Sequence, residues 1–180
     1  MPITREQLTH YQGIIAAAFE SAGIVITPEE KERLEVADFG LNDFEKEGLG
    51  VLEYVNTDRC CAKELALMPG QTCPEHRHPP VAGEPGKEET FRVRRGVCYL
   101  YVDTGTLSTE IKATPPSPHY RKLTEFVLTP GLQYTLKPNT FHWFQAGPQG
   151  CVVSEFSTKS RDECDVWQDP RIARIPVVEG

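Results

Sequence analysis

Hydrophobic residues recur at helical spacing over the first part of the chain. Thr4 begins a capping-box pattern, and apolar residues then repeat every three or four positions until Gly23. Thr27 begins a second capping pattern with proline at the next position, and this helix is predicted to run toward Gly40. The segment 1–47 is therefore predicted to be helical, with two N-terminal helices.

From about residue 48, short runs of β-branched and aromatic residues alternate with turns rich in Gly, Pro, Asn and Asp. Strands are predicted at 50–55, 62–67, 71–76, 89–94, 97–102, 120–128, 132–136, 141–146 and 151–157. Many short strands at this spacing are typical of an all-β sandwich or barrel. We expect a barrel over 48–158, with loop insertions at 79–88 and 104–119. The tail, 159–180, is predicted to be irregular and to pack on the outside of a single domain, 1–180.

Composition and charge exclude several classes of protein. The 180-residue chain has a formal net charge of −7 and a pI near 5.3, whereas nucleic acid and anionic membranes require a basic face. Its apolar runs are shorter than the roughly 20 residues that cross a bilayer, and the N-terminus lacks an apolar signal core. The protein is therefore expected in the cytoplasm, where its six cysteines would be reduced thiols.

Three histidines and one glutamate stand out as a metal-ligand set. His76 and His78 are two residues apart, so on a strand both imidazoles project to one face. Glu89 begins the next predicted strand, and His142 follows a later proline turn. Three imidazoles and a carboxylate that converge inside a barrel suit Mn, Fe, Ni, Zn or Co. Glu88 is a competing ligand.

These residues resemble the two signature motifs of the cupins. The first motif reads Gly70, five residues, His76-Arg-His78, then Glu89, six residues, Gly96; the second contains Gly131, Pro138 and His142. Glu89 is preferred over Glu88 because it keeps the six-residue spacing to Gly96. The chain departs from the common pattern in the ten-residue gap after His78 and in a proline-to-histidine spacing one residue shorter than usual. The resemblance implies a double-stranded β-helix, or jelly-roll barrel.

Longer segments narrow the resemblance to one family. YVNTDRCCAKELALMPGQTCPEHRHPPVAGEPGKEETFRVRRG, PNTFHWFQAG, SEFST and DPRI are similar to the small D-lyxose isomerases of the cupin type, and the likeness spans about Phe39 to Ile172. The resemblance implies a homodimeric, Mn²⁺-dependent aldose–ketose isomerase that interconverts D-lyxose and D-xylulose. It also implies a side activity that converts D-mannose to D-fructose. Octahedral Mn²⁺ fits three imidazoles, one carboxylate and sugar oxygens.

The isomerisation also needs a base. Glu155 is the favoured candidate: alternation places it with Val153 on one face of the last predicted strand, and the acid of SEFS matches the family's catalytic position. Alternation alone does not decide whether that face is the inner one. Lys63 is the second candidate, since it shares the apolar face with Leu65 and Leu67, and it would shuttle a proton or hold an oxyanion. Glu53 and Tyr54 are weaker possibilities.

Substrate contacts are predicted from three further residues. Arg171 would close the pocket with hydrogen bonds to hydroxyl groups, although a salt bridge on the surface of the tail is the alternative. Trp143 and Phe91 would pack on the C–H faces of a sugar, although core filling is the default for both.

Three other functions use similar residues. A non-haem iron dioxygenase of the cupin type would have the same four ligands but would consume O₂. A sugar-phosphate isomerase would gather cations around the phosphate. A non-catalytic sugar-binding cupin would bind its ligand without turnover.

Overall fold

The computed structural model describes residues 3–174 and 178–179. Within them, the helices are α1 (Arg5–Ser21), α2 (Pro28–Glu32) and a 3₁₀ helix at Asp162–Cys164. The strands are β1 (Ile3–Thr4), β2 (Glu35–Ala37), β3 (Leu49–Asn56), β4 (Cys61–Leu67), β5 (Thr72–Arg77), β6 (Glu89–Val102), β7 (Thr124–Leu128), β8 (Gln133–Leu136), β9 (His142–Ser157), β10 (Val166–Trp167) and β11 (Val178–Glu179).

Helix α1 confirms the first predicted helix. The Thr4 hydroxyl accepts a hydrogen bond from the Gln7 backbone at 3.2 Å, and the Gln7 side chain accepts one from the Thr4 backbone at 3.0 Å. This reciprocal capping box satisfies two backbone donors that the helix cannot pair internally. Ile15 and Phe19 on one face of α1 are buried in a cluster with Val152 of the sheet, which holds the helix against it.

The second predicted helix is much shorter than expected. Its capping box at Thr27 is present, but α2 ends at Glu32 rather than near Gly40. The following residues form β2, in which Val36 lies opposite Gly50 of β3. Val36 and Ala37 are buried there, so pairing with the sheet and burial of these side chains override the helical pattern.

The fold is mostly β, with nine of the strands in one curled, antiparallel sheet. The path runs β10-β5-β9-β4-β3-β2, and β6 pairs with β7, β8 and β9. Strands β6 and β9 pair along nearly their whole lengths, from Glu89 opposite Ser157 to Val102 opposite His142. Each was predicted as two strands, because Gly96 in β6 and Gly147-Pro148 in β9 have the sequence of turns.

The sequence breaks inside β6 and β9 mark a real change in the structure. In β9, Phe144 and Ala146 belong to the interior cluster, and so do Cys151 and Val153, so the inward-facing positions change from even to odd numbers. Gly96 sits in the corresponding part of β6, where the pairing register also shifts. Its φ is +72°, and a Cβ atom there would overlap the Gly150 carbonyl, so the strands approach and bend only with glycine at this position.

The interior of the curled sheet is filled by apolar side chains from most of the long strands, including Leu65, Phe91, Val93 and Leu100. The tail was predicted to pack on the outside of the domain, but part of it joins the sheet. Strand β10 pairs with β5, with Trp167 opposite His76, so the tail covers the end of the sheet that holds the histidines. None of the helices in the described residues is long and apolar enough to span a bilayer.

A candidate metal centre beside a buried carboxylate

The structure brings the three predicted histidine ligands together in the interior. His76 on β5 pairs directly across from His142 on β9, and their ring centroids are 4.3 Å apart. His78 follows the end of β5, with its ring centroid 4.9 Å from that of His76. One ring nitrogen from each of the three lies within 4.8 Å of the others, and all three residues are buried.

Each imidazole is held from behind through its Nδ1 atom. The Nδ1 atoms of His76 and His142 lie 2.7 and 3.0 Å from backbone carbonyls two residues earlier in the chain, those of Pro74 and Thr140. A carboxylate oxygen occupies the same position behind His78. Oxygen acceptors at Nδ1 fix the tautomer that leaves Nε2 free as a ligand, which is how metal-binding histidines are normally supported.

Glu89 completes the group from the start of β6. Its Oε1 atom lies 3.0 Å from Nε2 of His78 and 3.1 Å from Nε2 of His142, and its side chain is 1% exposed. The His142 contact lacks hydrogen-bond geometry, so this buried nitrogen has no hydrogen-bond partner in the described residues. The competing Glu88 is exposed, and its backbone N–H donates to the Thr158 hydroxyl.

Glu89 reaches the histidines although ten residues separate it from His78, and two close approaches of the backbone accompany this path. At Gly86, a Cβ atom would overlap the carbonyl of His78, so only glycine allows the loop to pass there. Asn139 adopts a φ of +61° in the turn before the last histidine, and its backbone N–H donates to the same His78 carbonyl at 3.1 Å. Both departures from the usual cupin spacing are therefore accommodated around one carbonyl.

The electrostatics of this group fit a cation. Burial and the neighbouring imidazoles lower the pKa of His76 well below its usual value, so that ring is neutral. Burial also opposes charge on His78, yet Glu89 raises the pKa of His78 to about 9. Burial disfavours the carboxylate of Glu89, but Lys87 and His78 hold the pKa of Glu89 well below its usual value. The ionised carboxylate of Glu89 faces the ring of His78, whose raised pKa favours a proton there, and a divalent cation would take the place of that proton.

The structure places both predicted catalytic residues in the cavity beside this group. Glu155 on β9 lies directly between Lys63 of β4 and Phe91 of β6 in the strand pairing. Glu155 and Lys63 are each 5% exposed. The Lys63 ammonium donates to Asp162 at 2.7 Å and to Ser160 at 3.0 Å, rather than to Glu155. Phe91, a predicted substrate contact, also lines the cavity.

The ammonium that contacts Glu155 is that of Lys87, which the sequence analysis did not single out. The distance from its Nζ to Oε1 of Glu155 is 2.8 Å, and Lys87 is 7% exposed. The sequence contains one indication that Lys87 faces the site. Residues two apart in an extended chain share a face, and Lys87 precedes Glu89 by two positions. Its position in a loop rich in Pro and Gly hid that relationship.

The tail supplies four further residues to the cavity wall. Asp165 lies behind His78, with 2.5 Å between Oδ1 and Nδ1. The ring of Trp167 lies 4.8 Å from that of His76. Asp162 and Arg174 also line the cavity, and they are joined by a hydrogen bond of 3.1 Å. No periodic pattern marks this segment, so the sequence gives little reason to place it at the site.

Two predicted substrate contacts lie elsewhere. Trp143 is turned to the other side of β9 from its neighbour His142, where it stacks on Tyr101 at 3.9 Å and is completely buried. Strand alternation explains this placement, because residue 143 must face away from the cavity if residue 142 faces into it. Arg171 forms a bidentate ion pair with Asp169, and its side chain is 56% exposed. Arg171 therefore forms the surface salt bridge that was the alternative to a substrate contact.

Two chemically different groups of side chains line the cavity. One group is apolar and includes Leu49, Val51 and Leu65, and the other consists of histidines, carboxylates and cations. The space between these side chains, with the open mouth included, is about 420 Å³.

Two sugar isomerases of solved structure share this fold. The L-ribose isomerase of Acinetobacter sp. DL28 superposes with a TM-score of 0.77 at 16% identity, covering 99% of this chain and 98% of that chain. The L-ribose isomerase of Cellulomonas parahominis gives a TM-score of 0.72 at 16% identity, covering 94% of each chain. The fold of this protein is thus the cupin-like fold of these isomerases.

Sequence comparison identifies a more specific family, although no family model matches the chain. The D-lyxose/D-mannose isomerase of Thermosediminibacter oceani is 56% identical over 180 residues, covering 98% of this chain and 99% of the relative. The D-lyxose ketol-isomerases of Cohnella laeviribosi and Thermofilum sp. are 55% and 50% identical, covering 92% and 98% of this chain. The aligned regions cover 92% and 99% of those two relatives, respectively. The chain belongs to the D-lyxose ketol-isomerase family.

Proposed function

We propose that this protein is an Mn²⁺-dependent isomerase of free sugars that interconverts D-lyxose and D-xylulose, with D-mannose and D-fructose as a second pair. The observation that carries the proposal is the 50–56% identity to relatives named for this activity over nearly the full chain. The buried cluster of three imidazoles and a carboxylate next to Glu155 supports it independently.

His76, His78, Glu89 and His142 would hold the cation. When bound, a divalent metal would supply Lewis acidity that polarises the sugar carbonyl and stabilises negative charge on the neighbouring oxygens. The free Nε2 of His142 and the oxygen acceptors behind all three rings fit this role. The donor set also accepts Fe, Co, Ni or Zn, and Mn²⁺ is proposed from the family resemblance.

Glu155 would move the proton between the two carbons. Its carboxylate takes the proton from C2 of the aldose, the C–H electron pair forms the C1=C2 bond of an enediol, and the same proton is returned to C1. The hydroxyl proton of O2 passes to O1, so the ketose forms without gain or loss of atoms. Lys63 would donate a hydrogen bond to one of these oxygens, since its ammonium is buried in the same cavity.

Free sugars are favoured over sugar phosphates because the buried cations of the cavity already have carboxylate partners. Among the described residues, the pairs are Lys63 with Asp162, Lys87 with Glu155, and Arg174 with Glu35. A phosphate would have to displace these carboxylates, and no phosphate-binding cation is left over in this part of the wall.

The proposal is tested by adding Mn²⁺ to metal-free protein incubated with D-lyxose, D-mannose and D-glucose, and by measuring ketose. We expect ketose from the first two only when metal is present. Stoichiometric metal binding without ketose from any aldose would refute the isomerase and favour a sugar-binding protein. Consumption of O₂ by the Fe²⁺-loaded protein would instead identify a dioxygenase.

The finer structural predictions accompany this function. A jelly-roll barrel and a homodimer are proposed from the family resemblance, and a single domain and a cytoplasmic location from the length and residue pattern of the sequence. Exposed Phe156 and Val55 flank Ala62 on the outer side of adjacent strands, which supports a self-associating face. Light scattering coupled to size-exclusion chromatography measures the oligomeric state directly.

A further inference from the structure

Lys87 lies between two carboxylates of the cavity. Its Nζ atom is 2.8 Å from Oε2 of Glu89 and 2.8 Å from Oε1 of Glu155. The three side chains are 5%, 1% and 6% exposed, so water does not compete for these contacts. The preceding residue, Gly86, passes so close to the His78 backbone that a Cβ atom would overlap the His78 carbonyl, and this approach helps to fix where the lysine enters the site.

The ammonium divides the two oxygens of Glu89 between two tasks. Oε1 faces Nε2 of His78 and of His142, at 3.0 and 3.1 Å, whereas Oε2 faces Lys87. Rotation of this carboxylate would break contacts on both sides. Lys87 therefore determines which oxygen is directed toward the imidazoles.

The same ammonium also orients Glu155. Of the buried lysines on this wall, Lys63 is the direct strand partner of Glu155, yet its ammonium is engaged with Asp162 and Ser160. Glu155 otherwise accepts only a longer hydrogen bond, 3.4 Å, from the Ser157 hydroxyl within the described residues. The lysine contact is the one that holds this carboxylate in place.

We propose that Lys87 is a positioning residue that aligns the metal-binding carboxylate of Glu89 and the proton-transferring carboxylate of Glu155 through a single ammonium group. The role toward Glu155 rests on the proposed isomerase function, whereas the role toward Glu89 requires only that the cluster binds a cation. Reacting groups must be held to within about 0.5 Å of their productive positions, and a buried ammonium with two short contacts achieves this for both acids.

The test compares the variants Lys87→Met, Lys87→Arg and Lys112→Met with the wild type. Lys112 pairs with Glu125 on a distant surface, and its side chain is 59% exposed, so Lys112→Met controls for loss of a lysine. Mn²⁺ affinity is measured by calorimetric titration, and folding is checked by circular dichroism. The kinetic constants kcat and KM for D-lyxose are measured at saturating Mn²⁺.

We expect Lys87→Met to weaken Mn²⁺ binding about 10- to 100-fold, as loss of a residue that orients a ligand does. At saturating Mn²⁺, kcat should fall about 100-fold while KM changes less than about threefold, because Lys87 aligns the base without binding substrate. Lys87→Arg should recover part of the Mn²⁺ affinity and part of kcat, and Lys112→Met should change neither quantity.

A change in only one of the two quantities, or in neither, would overturn the bridging role. If Lys87→Met does not fold, Lys87→Arg decides by the same two measurements, since it keeps the charge but alters the geometry: wild-type values for both would overturn the proposal. A wild-type protein that binds Mn²⁺ without any turnover would instead contradict the proposed function, and the Mn²⁺ titrations would still test the contact with Glu89.

Discussion

Oδ1 of Asp165 lies 2.5 Å from Nδ1 of His78, on the side of the ring opposite Glu89. This contact joins the tail of the chain to a residue of the candidate metal centre. A carboxylate behind a histidine orients the ring and increases its basicity as a ligand. The tail would therefore contribute to metal binding at this centre without itself supplying one of the four proposed ligands.

Replacing this carboxylate should weaken the metal site. Asp165→Asn keeps the size of the side chain but removes its charge, so we expect Mn²⁺ affinity to fall about 10- to 100-fold in calorimetric titrations. Asp58→Asn is the matched control, because Asp58 forms an ion pair on the surface with a side chain that is 90% exposed. Equal affinities in the two variants would contradict the role of Asp165.

Glu155→Gln should separate chemistry from metal binding. The amide retains the shape of the side chain but cannot accept the C2 proton, so kcat should fall about 10²- to 10⁴-fold with Mn²⁺ affinity nearly unchanged. Parallel kinetics and metal titration of Glu20→Gln, an exposed position in α1, provide the control. Retained turnover in Glu155→Gln would move the base to another residue.

Removal of a ligand should abolish stabilisation by metal. Bound Mn²⁺ at 100 times its dissociation constant stabilises a folded protein by about 2.7 kcal/mol, which appears as a rise in melting temperature. His142→Ala should lose this rise, whereas His10→Ala, an exposed position in α1, should keep it. The measurement is thermal unfolding with Mn²⁺ and with a chelator, and an undiminished rise in His142→Ala would exclude that ligand.

The close approach at Gly86 predicts a strong effect of a single methyl group. Gly86→Ala would force the loop away from the His78 carbonyl, and we expect the free energy of unfolding to fall by at least about 2 kcal/mol. Gly13→Ala in α1 meets open space and should stabilise the protein by about 0.5–1 kcal/mol. Denaturant titration of both variants measures the difference, and similar stabilities would show that the approach is unimportant.

Acid should remove the stabilising effect of Asp162. Burial opposes its charge, but Lys87, Lys63 and Arg174 hold the pKa of Asp162 well below its usual value. A carboxyl group with a lowered pKa in the folded state stabilises the fold above its unfolded pKa, about 3.9, and loses that effect as the pH falls through the folded pKa. Asp162→Asn should therefore be less stable than the wild type at pH 7.

The difference in stability between Asp162→Asn and the wild type should begin to narrow as the pH is lowered below about 4, because the unfolded wild-type carboxyl group then takes up a proton while the folded one stays ionised. Melting temperatures of both proteins between pH 7 and pH 3 provide the measurement. A constant difference over this range would show that the ionised carboxylate of Asp162 does not contribute.

The parts of the fold that follow local rules could be predicted from the sequence. The capping box at Thr4 gave the start of α1, and alternation gave the shared inward face of Lys63 and Leu65. Helix α2 was predicted too long because the choice between helix and strand near Val36 depends on pairing with β3, a partner that local periodicity does not contain.

The candidate site was predictable to the extent that its residues lie on strands, or directly beside them, with recognisable spacing. His76, Glu89 and His142 lie on strands and His78 directly follows β5, whereas Lys87 comes from a loop and Asp165 from a tail without periodic pattern. Trp143 was assigned to the substrate although alternation with His142 already placed it on the other face. Arg171 depends on its ion pair with Asp169, a local contact that competes with any role in the cavity.

The change from even to odd inward positions within β9 makes chain length there as important as residue identity. His142 and Glu155 are separated by an odd number of positions, yet His142 contacts the buried Glu89 and Glu155 lines the cavity. Both face the interior because the alternation of inward and outward side chains changes phase within the segment 147–150. Deleting one residue from this segment would leave His142 in place and turn the carboxylate of Glu155 toward solvent. Substitutions there are consequently far more tolerable than insertions or deletions.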